Sequence, residues 1–531
     1  MSDTPAIFDA PPVPEVRGAL VRRLGARLEP LSDARISEAL ADTVYTERLR
    51  FEDHAGSEEE EARVDRAARA IASGAREAMV AAAEDLVGSY AEEIHNRFSQ
   101  RTYRAATKLL PRALVNLVSA RHPERLLAGD LDPDSRIRIQ GAVEQITALT
   151  RRGTVIVAPT HLSNLDSPLI GYAIYRCGLP PVAYGAGLNL FSNPAMAFFM
   201  SRLGAYTVDR RKQGQLYKDA LKDYSVELLR RGVHSLFFPG GTRSRSGQVE
   251  KAVKKGLLGT GIQAWQENLA AGRGGDIFVV PMTLSTSLVL EAETLIRDAL
   301  AREGKARYII ADDEFSQPRT VASFLSRVLN LDESVHLTFS RALDLMGNPV
   351  DDEGNSLGPD GRIIDRARYV CDASGTVEPD PQRDRVYTNR LADGIVDAFH
   401  RDNVALTTHV AAFSAWQLVQ RANPGQDQFR LVRMERSQRV VNRDSLLREI
   451  DRVVARLNEL EACGRIRTSL PGDAEAILER AVMRFGSFHT RPALEAFRGG
   501  GQGQQLRIDP ELLLFYRNRL VGYDLERGGE A

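Results

Sequence analysis

The sequence predicts an α/β fold: a central mixed sheet flanked by helices, with helical regions before and after it. Three observations carry that reading. Short apolar runs rich in β-branched residues, the first being TVIVAPT at 154–160, alternate with helix-period segments across residues 130–345. Upstream the chain is rich in Ala, Arg and Glu with apolar residues at helical spacing, and the helical pattern returns from Tyr387 to Leu460. The length, 531 residues, calls for two or three domains at roughly 100–200 residues each. The expected division is a tail and helical region over 1–90, an α/β domain over 91–345, a loop or hairpin linker over 346–380, and a mainly helical region over 381–531.

The elements follow in order. Residues 1–15 are Pro-rich and read as a tail, and 16–50 as helical. The run Glu58-Glu59-Glu60-Glu61 suits the first turn of a helix, where carboxylates meet the positive end of the dipole. Val64, Ala67, Ala68 and Ile71 continue that helix toward Asn96, and 100–120 form an amphipathic stretch broken at Pro111. After Thr154 the strand candidates are Val182–Gly185, Ala205–Val208, Val233–Phe238, Ile277–Met282 and Val335–Ser340. Helical patterns at Pro168–Tyr175, Gln215–Arg231 and Val249–Gln266 lie between them. Residues 346–365 are dense in Gly, Asn, Asp and Pro and predict a loop or hairpin. A Gly-rich break at 499–501 precedes a last apolar segment, LLLFYRNRL.

Composition narrows the function. Hydrophobic residues at 43% and charged residues at 27% fit a folded globular chain. Seventy basic against 71 acidic residues argue against a protein that coats nucleic acid. Cys177, Cys371 and Cys463 lie far apart without metal-ligand spacing, which fits a reducing compartment and predicts core residues rather than ligands. The N-terminal segment lacks the basic-then-apolar pattern of a secretory signal. The longest uncharged stretch, Cys177–Ser201, contains Pro180, Pro181 and Pro194 and several glycines, which rules against a membrane span and leaves room for an apolar loop that touches a membrane surface or an acyl chain. Charge is nonetheless concentrated: six of eight lysines fall between 212 and 255, and Arg202–Lys255 carries 13 basic and five acidic residues. Such a segment attracts phosphorylated ligands, anionic cofactors or an anionic membrane, although part of it is the solvated face of a helix.

Two clusters point to chemistry. His161 directly follows the first strand and precedes Asp166, while Ser167-Pro168 is a good helix start. Both residues are thus placed between a strand's C-terminal end and a helix, where open α/β sheets bind ligands. An imidazole with a carboxylate on its far nitrogen can take a proton from a hydroxyl; the same two residues also suit a structural histidine and a helix cap. The second cluster is Phe238-Pro239-Gly240-Gly241-Thr242-Arg243-Ser244-Arg245. Its glycines let backbone N–H groups turn toward an anion, and its arginines suit phosphate; a solvated turn has the same composition. His234, His336 and His409 are expected to be structural.

Taken together, these residues resemble the glycerolipid acyltransferase superfamily (PlsB/PlsC-like). His161-x4-Asp166 is similar to its first motif, Gly204-Ala-Tyr-Thr-Val-Asp209-Arg210 to its second, residues 238–245 to its third, and Phe278-Val279-Val280-Pro281-Met282 to its fourth. The third motif departs from the family at one place, Gly240, where the family carries Glu. THVAAF at 408–413 and FYRNRL at 515–520 look like the longer glycerol-3-phosphate acyltransferases. The resemblance implies His161 as general base and Asp166 as its orienting carboxylate. It implies phosphate contacts from Arg210, Arg243, Arg245, Thr242 and Gly241, with Arg211 and Lys212 as further candidates. The implied reaction moves an acyl group from acyl-CoA or acyl carrier protein to the sn-1 hydroxyl of glycerol 3-phosphate. No metal or other cofactor, no nucleic acid, and a peripheral place on the cytoplasmic side of the membrane are expected. Lysophosphatidate or dihydroxyacetone phosphate is the alternative acceptor, and a non-catalytic lipid-surface protein the alternative class.

Overall fold

The computed structural model describes residues 11–107, 137–188, 194–303, 335–489, 491–497 and 505–526. Its centre is a seven-stranded sheet among the described residues, in the order β1-β7-β6-β2-β5-β3-β4. The strands are β1 Ile137–Gly141, β2 Gly153–Pro159, β3 Ala183–Gly187, β4 Ala205–Val208, β5 Ser235–Leu236, β6 Asp276–Thr286 and β7 Val335–Phe339. Five run parallel; β7 pairs antiparallel with β6, with Met282 opposite Phe339, and β1 pairs parallel with β7. The sheet is mixed, as the sequence predicts. Strand β1 has only five residues and is buried at one end; its apolar Ile137 and Ile139 alternate with polar Arg138 and Gln140, a short pattern that the sequence reading passed over.

Strand β2 shows why an unbroken apolar run becomes a central strand. Val155 and Val157 face one hydrophobic cluster while Ile156 and Ala158 face another, so successive side chains are buried on opposite faces. Strand β6 does the same, with Phe278 and Val280 on the first face and Ile277 and Val279 on the second.

Four N-terminal helices precede the sheet: α1 Val13–Leu28, α2 Asp33–Asp53, α3 Glu58–Ser73 and α4 Arg76–Ile94. The glutamate run opens α3 as predicted, and Ser57 and Glu60 close a reciprocal capping box there. Gly74, at φ 66°, ends α3, so the helix expected to continue to Asn96 is two helices. Residues 16–50 likewise divide between α1 and α2. The amphipathic stretch 100–120 is helical over 100–107, and its Pro111 break lies outside the described residues, as does the Gly-rich break at 499–501.

These helices share a core with Ala183, Tyr206 and the inner face of a sheet-flanking helix. The flanking helices are α5 Val143–Leu149, α6 Asp166–Arg176, α7 Pro194–Arg202, α8 Gln215–Arg230, α9 Gly259–Ala270 and α10 Ala292–Glu303. Arg27 grips Asp223 of α8 through two hydrogen bonds of 2.8 and 2.6 Å, and Arg23 grips Glu267 of α9 through two of 2.7 Å. The predicted helix over Val249–Gln266 is corrected to α9, which starts only at Gly259. Residues 249–258 spend their backbone groups elsewhere: the Lys254 N–H donates to the Pro239 carbonyl at 2.6 Å.

The linker contains the expected hairpin, Ser356–Leu357 paired with Ile363–Ile364. Beyond it come α11 Pro381–Arg401, α12 Thr407–Ala422, α13 Arg443–Ala462, α14 Ala474–Phe488 and α15 Pro510–Arg517. Short strands Val440–Asn442, Gln505–Ile508 and Leu494–Phe497 form a small antiparallel sheet. The C-terminal helices do not build a core of their own. Phe413, Trp416, Phe485 and Phe515 belong to the same buried cluster as Val155, Phe278 and Phe339. Cys177 and Cys371 are half-buried, whereas Cys463 corrects the expectation of a core residue: it is exposed at the C-terminal cap of α13. Among the described residues no helix is long and apolar enough to cross a membrane. Phe198, in the uncharged stretch, is exposed, and Arg202 lies over its ring at 3.6 Å.

The last helix reaches the third motif. Gly247, at φ 80°, lies so close to α15 that an added Cβ would come within 2.4 Å of the Phe515 carbonyl oxygen. Asn518 Nδ2 donates to the Ser246 carbonyl at 2.8 Å. Gly247→Ala must therefore both strain the backbone and push α15 away. An expected destabilisation of about 1–3 kcal/mol, from strain at a positive φ, is measurable by urea unfolding.

Candidate active site

Strands β2, β4 and β5 run parallel, so their C-terminal ends share one edge of the sheet. His161 follows β2, Arg210 follows β4, and the Gly240–Arg245 loop follows β5. The three motifs, far apart in sequence, meet there because open α/β sheets gather their loops at that edge.

His161 and Asp166 form the pair the sequence predicts. His161 Nδ1 lies 2.9 Å from Asp166 Oδ2, and the Asp166 side chain is only 1% exposed. The same oxygen accepts the backbone N–H groups of Leu162 at 2.6 Å and Ser163 at 2.9 Å. Asp166 opens α6, one residue before the serine proposed as its cap; the cap position falls to Leu165, which makes no side-chain cap bond. A carboxylate on Nδ1 favours a proton there and leaves Nε2 as the acceptor. The ring stacks on Phe238, with centroids 3.9 Å apart and planes 21° from parallel. Its backbone is also held: the N–H donates to Glu250 Oε1 at 2.9 Å, and the carbonyl accepts from the Ser244 N–H at 2.7 Å. The first and third motifs are thereby joined at His161.

Glu291 ties the other side of the loop. Its Oε2 accepts the Ser163 hydroxyl at 2.7 Å, while Oε1 accepts the Asn164 N–H and Arg243 Nη1, each at 3.0 Å. Burial pushes the Glu291 carboxyl up, against the pull of these three donors. Arg245 pairs with Asp298 of α10. Burial lowers the Arg245 pKa against the attraction of Asp298, and Arg302, Arg243 and Arg210 add to the lowering. The predicted phosphate-binding arginines therefore stand close enough to repel one another, joined by Arg302. Arg210 is exposed, and Gly241 and Thr242 are half-buried. Gly241, at φ 76°, carries the Lys254 side chain against it; an added Cβ would meet Lys254 Cδ at 2.6 Å.

The two further candidates are engaged differently. Arg211 makes a two-pronged ion pair with Asp209, at 2.9 Å through both Nε and Nη2. Lys212 turns inward: its side chain is 4% exposed, and its ammonium pairs with Glu60 at 3.3 Å and with Glu93. Tyr90 and Tyr217 lie beneath that ammonium at 5.1 and 5.6 Å. In this structure Lys212 joins the N-terminal helices to the motif-bearing domain.

The three other histidines singled out in the sequence are buried. His234 Nδ1 accepts the Val155 N–H at 3.0 Å, and burial lowers its pKa to about 4. His409, fully buried and lowered to about 3 chiefly by burial, accepts the Leu406 N–H and contacts the Thr286 carbonyl. His336 is 1% exposed within β7. Sequence reasoning missed Glu250, Glu291, Arg302 and Arg519. Glu250, Glu291 and Arg302 lie outside the recognised motifs, and Arg519 lies within FYRNRL, to which the sequence reading gave no residue role; burial of the charged head, not spacing, is what marks Glu250, Glu291 and Arg519. Among the described residues no cluster of His, Cys, Asp and Glu is suited to a metal ion.

Residues 140–285 match the Acyltransferase family model, and that stretch holds every motif just described. The stretch that is similar to the acyltransferase model thus holds the centre of the mixed α/β sheet, strands β2 to β6. Its curated relatives are more particular. It is 34% identical over 168 residues to a glycerol-3-phosphate acyltransferase of Pseudoalteromonas translucida, covering 31% of this chain and 20% of that one. It is 35% identical over 164 residues to a glycerol-3-phosphate acyltransferase of Histophilus somni, covering 30% and 19%. The matched region spans about a fifth of the length of these relatives. Among solved structures, the 1-acyl-sn-glycerophosphate acyltransferase PlsC of Thermotoga maritima aligns with 55% of this chain and 80% of its own, at 16% identity and a TM-score of 0.26.

Proposed function

We propose that this protein transfers a fatty acyl group from an acyl thioester to the sn-1 hydroxyl of glycerol 3-phosphate, giving lysophosphatidate at the start of phospholipid synthesis. The observation that carries the reading is the His161–Asp166 pair at the same sheet edge as Arg210, Arg243 and Arg245. His161 Nε2 takes the proton of the sn-1 hydroxyl, and the oxygen attacks the thioester carbonyl. The tetrahedral intermediate collapses with breakage of the C–S bond, and the leaving thiolate recovers the proton from the imidazolium. No acyl-enzyme forms. Asp166 holds Nδ1–H and stabilises the charged ring, while the first turn of α6 presents its positive end to the developing oxyanion. Arg210, Arg243 and Arg245, with Thr242 and the Gly241 backbone, hold the phosphate and so fix the hydroxyl beside the base.

The donor is acyl-CoA or acyl carrier protein, with no metal or redox cofactor, and nucleic acid is not a partner. The reaction takes place at the cytoplasmic face of the membrane, where the lipid product belongs. The test is transfer by purified protein from palmitoyl-CoA or acyl carrier protein to glycerol 3-phosphate, lysophosphatidate or dihydroxyacetone phosphate. Glycerol 3-phosphate is expected to be preferred. Arg210→Ala is expected to raise its KM by about 10- to 100-fold, the worth of one charge-assisted hydrogen bond. Preference for another acceptor would reassign the substrate. No turnover with any pair would leave a lipid-surface protein on this fold.

A further inference from the structure

We infer that Glu250 is a positioning residue for His161, supplying from position 250 the carboxylate that Gly240 leaves out of the third motif. The inference rests on the proposed acyl transfer for its kinetic arm only. Glu250 Oε1 accepts the His161 N–H at 2.9 Å, one residue's backbone away from the reacting ring. Glu250 Oε2 is buried and has no hydrogen-bond partner among the described residues. Both facts place the carboxylate head inside the site rather than on the surface.

Gly240 explains how it gets there. Its φ is not in the left-handed region, unlike that of Gly241, so backbone conformation does not require glycine at 240. Space bears on it instead. An added Cβ at 240 would lie 3.3 Å from Glu250 Cγ, a tight contact, and 3.4 Å from Oε1, so the Glu250 side chain would have to give way by a few tenths of an ångström. A side chain growing from 240 would therefore enter the volume that Glu250 fills. The two positions compete for one place, and this chain fills it from 250. The segment is pinned there by the Lys254 N–H on the Pro239 carbonyl.

The surroundings suit a carboxylate. Burial pushes the Glu250 carboxyl up, while the His161 N–H and the Arg519 guanidinium pull it down. Arg519 is 2% exposed and holds the Leu284 carbonyl at 2.9 Å and Asn403 at 2.8 Å through Nη2. Its Nε and Nη1 are buried without hydrogen-bond partners among the described residues, and its charge acts on Glu250 and Asp166.

A swap tests this. Glu250→Ala is expected to lower kcat about 10²-fold, the cost of a catalytic group misplaced by 1 Å, with KM for glycerol 3-phosphate little changed. Gly240→Glu alone is expected to lower activity through crowding. The double variant Gly240→Glu/Glu250→Ala is expected to recover kcat to within about tenfold of the unaltered protein. Glu250→Gln, which keeps an oxygen acceptor and the shape, is expected to retain folding and most of kcat. A second readout needs no turnover: the backbone amide resonance of His161 in protein labelled with 15N-histidine, assigned by its loss in His161→Ala. It should move upfield in Glu250→Ala and return downfield in the double variant. An unaltered protein without turnover would sink the proposed acyl transfer, and the amide shifts would still decide the role of Glu250. A double variant no better than Glu250→Ala, or an amide shift indifferent to Glu250, overturns the inference.

Discussion

His161→Ala is expected to lower kcat by about 10²–10⁴-fold, the ordinary worth of a general base, while leaving the unfolding midpoint close to that of the unaltered chain. The imidazole is 14% exposed against 1% for Asp166, and its loss orphans no backbone group. Asp166→Ala should behave differently. Asp166 Oδ2 accepts two backbone N–H groups besides the imidazole, and both donors are buried. Each unsatisfied donor costs about 1–3 kcal/mol, so Asp166→Ala should lose stability as well as activity. Asp166→Asn separates the two effects. Its amide oxygen can face the three donors while its NH₂ takes the Oδ1 position, a buried atom without a partner. The asparagine variant is therefore expected to fold but to lose rate with the negative charge. Urea unfolding beside steady-state kinetics distinguishes the three variants. Equal loss of stability in His161→Ala and Asp166→Ala would mean that the pair is chiefly structural.

The second large effect is expected at Glu291. Every polar atom that meets its carboxylate here is a donor: Ser163 Oγ, the Asn164 N–H and Arg243 Nη1. Glu291→Leu removes the acceptor from all three and leaves Arg243 without this counter-charge. Breaking a buried ion pair costs about 3–5 kcal/mol; with the Arg243 side chain 24% exposed, the lower end of that range applies. Because Arg243 is also one of the arginines proposed to hold the phosphate, KM for glycerol 3-phosphate should rise in the same variant. Glu291→Gln is milder, since the Ser163 hydroxyl can rotate to accept from the amide. A Glu291→Leu protein of unchanged stability and KM would show that the Glu291 network does not support the site.

What the sequence made legible divides along a physical line. Strand β2 and the His161–Asp166 pair were readable because a buried parallel strand is a continuous apolar run and its following loop is short. The order of the arginines was readable for the same reason. Glu250 and Glu291 were not. Their roles depend on burial and on partners 89 and 127 or 128 residues away in the chain, and neither leaves a local pattern. Lys212 shows the converse. It sits in the most basic segment of the chain, yet Glu60 and Glu93 draw it into the interior. Net charge locates a basic segment, but it does not tell which of its members point inward. The helix read over Val249–Gln266 failed in its first half for a related reason. Apolar spacing there serves two buried valines, 249 and 253, while the backbone is claimed by the third motif.

The close approach of α15 to Gly247 has a consequence in time. His161 and the loop beneath it are synthesised more than 260 residues before Phe515 and Asn518, which brace that loop. The ribosome thus produces the seven described strands of the sheet, both carboxylates that hold His161, and Arg210, Arg243 and Arg245 well before the segment that braces Ser246 and Gly247. Contacts closing so long a span of chain form late, after local helices and strand pairs. During synthesis the protein therefore passes through a stage in which the reacting residues are all present but not yet set. The brace between α15 and the segment at Ser246 and Gly247 can close only once Phe515 and Asn518 have been made.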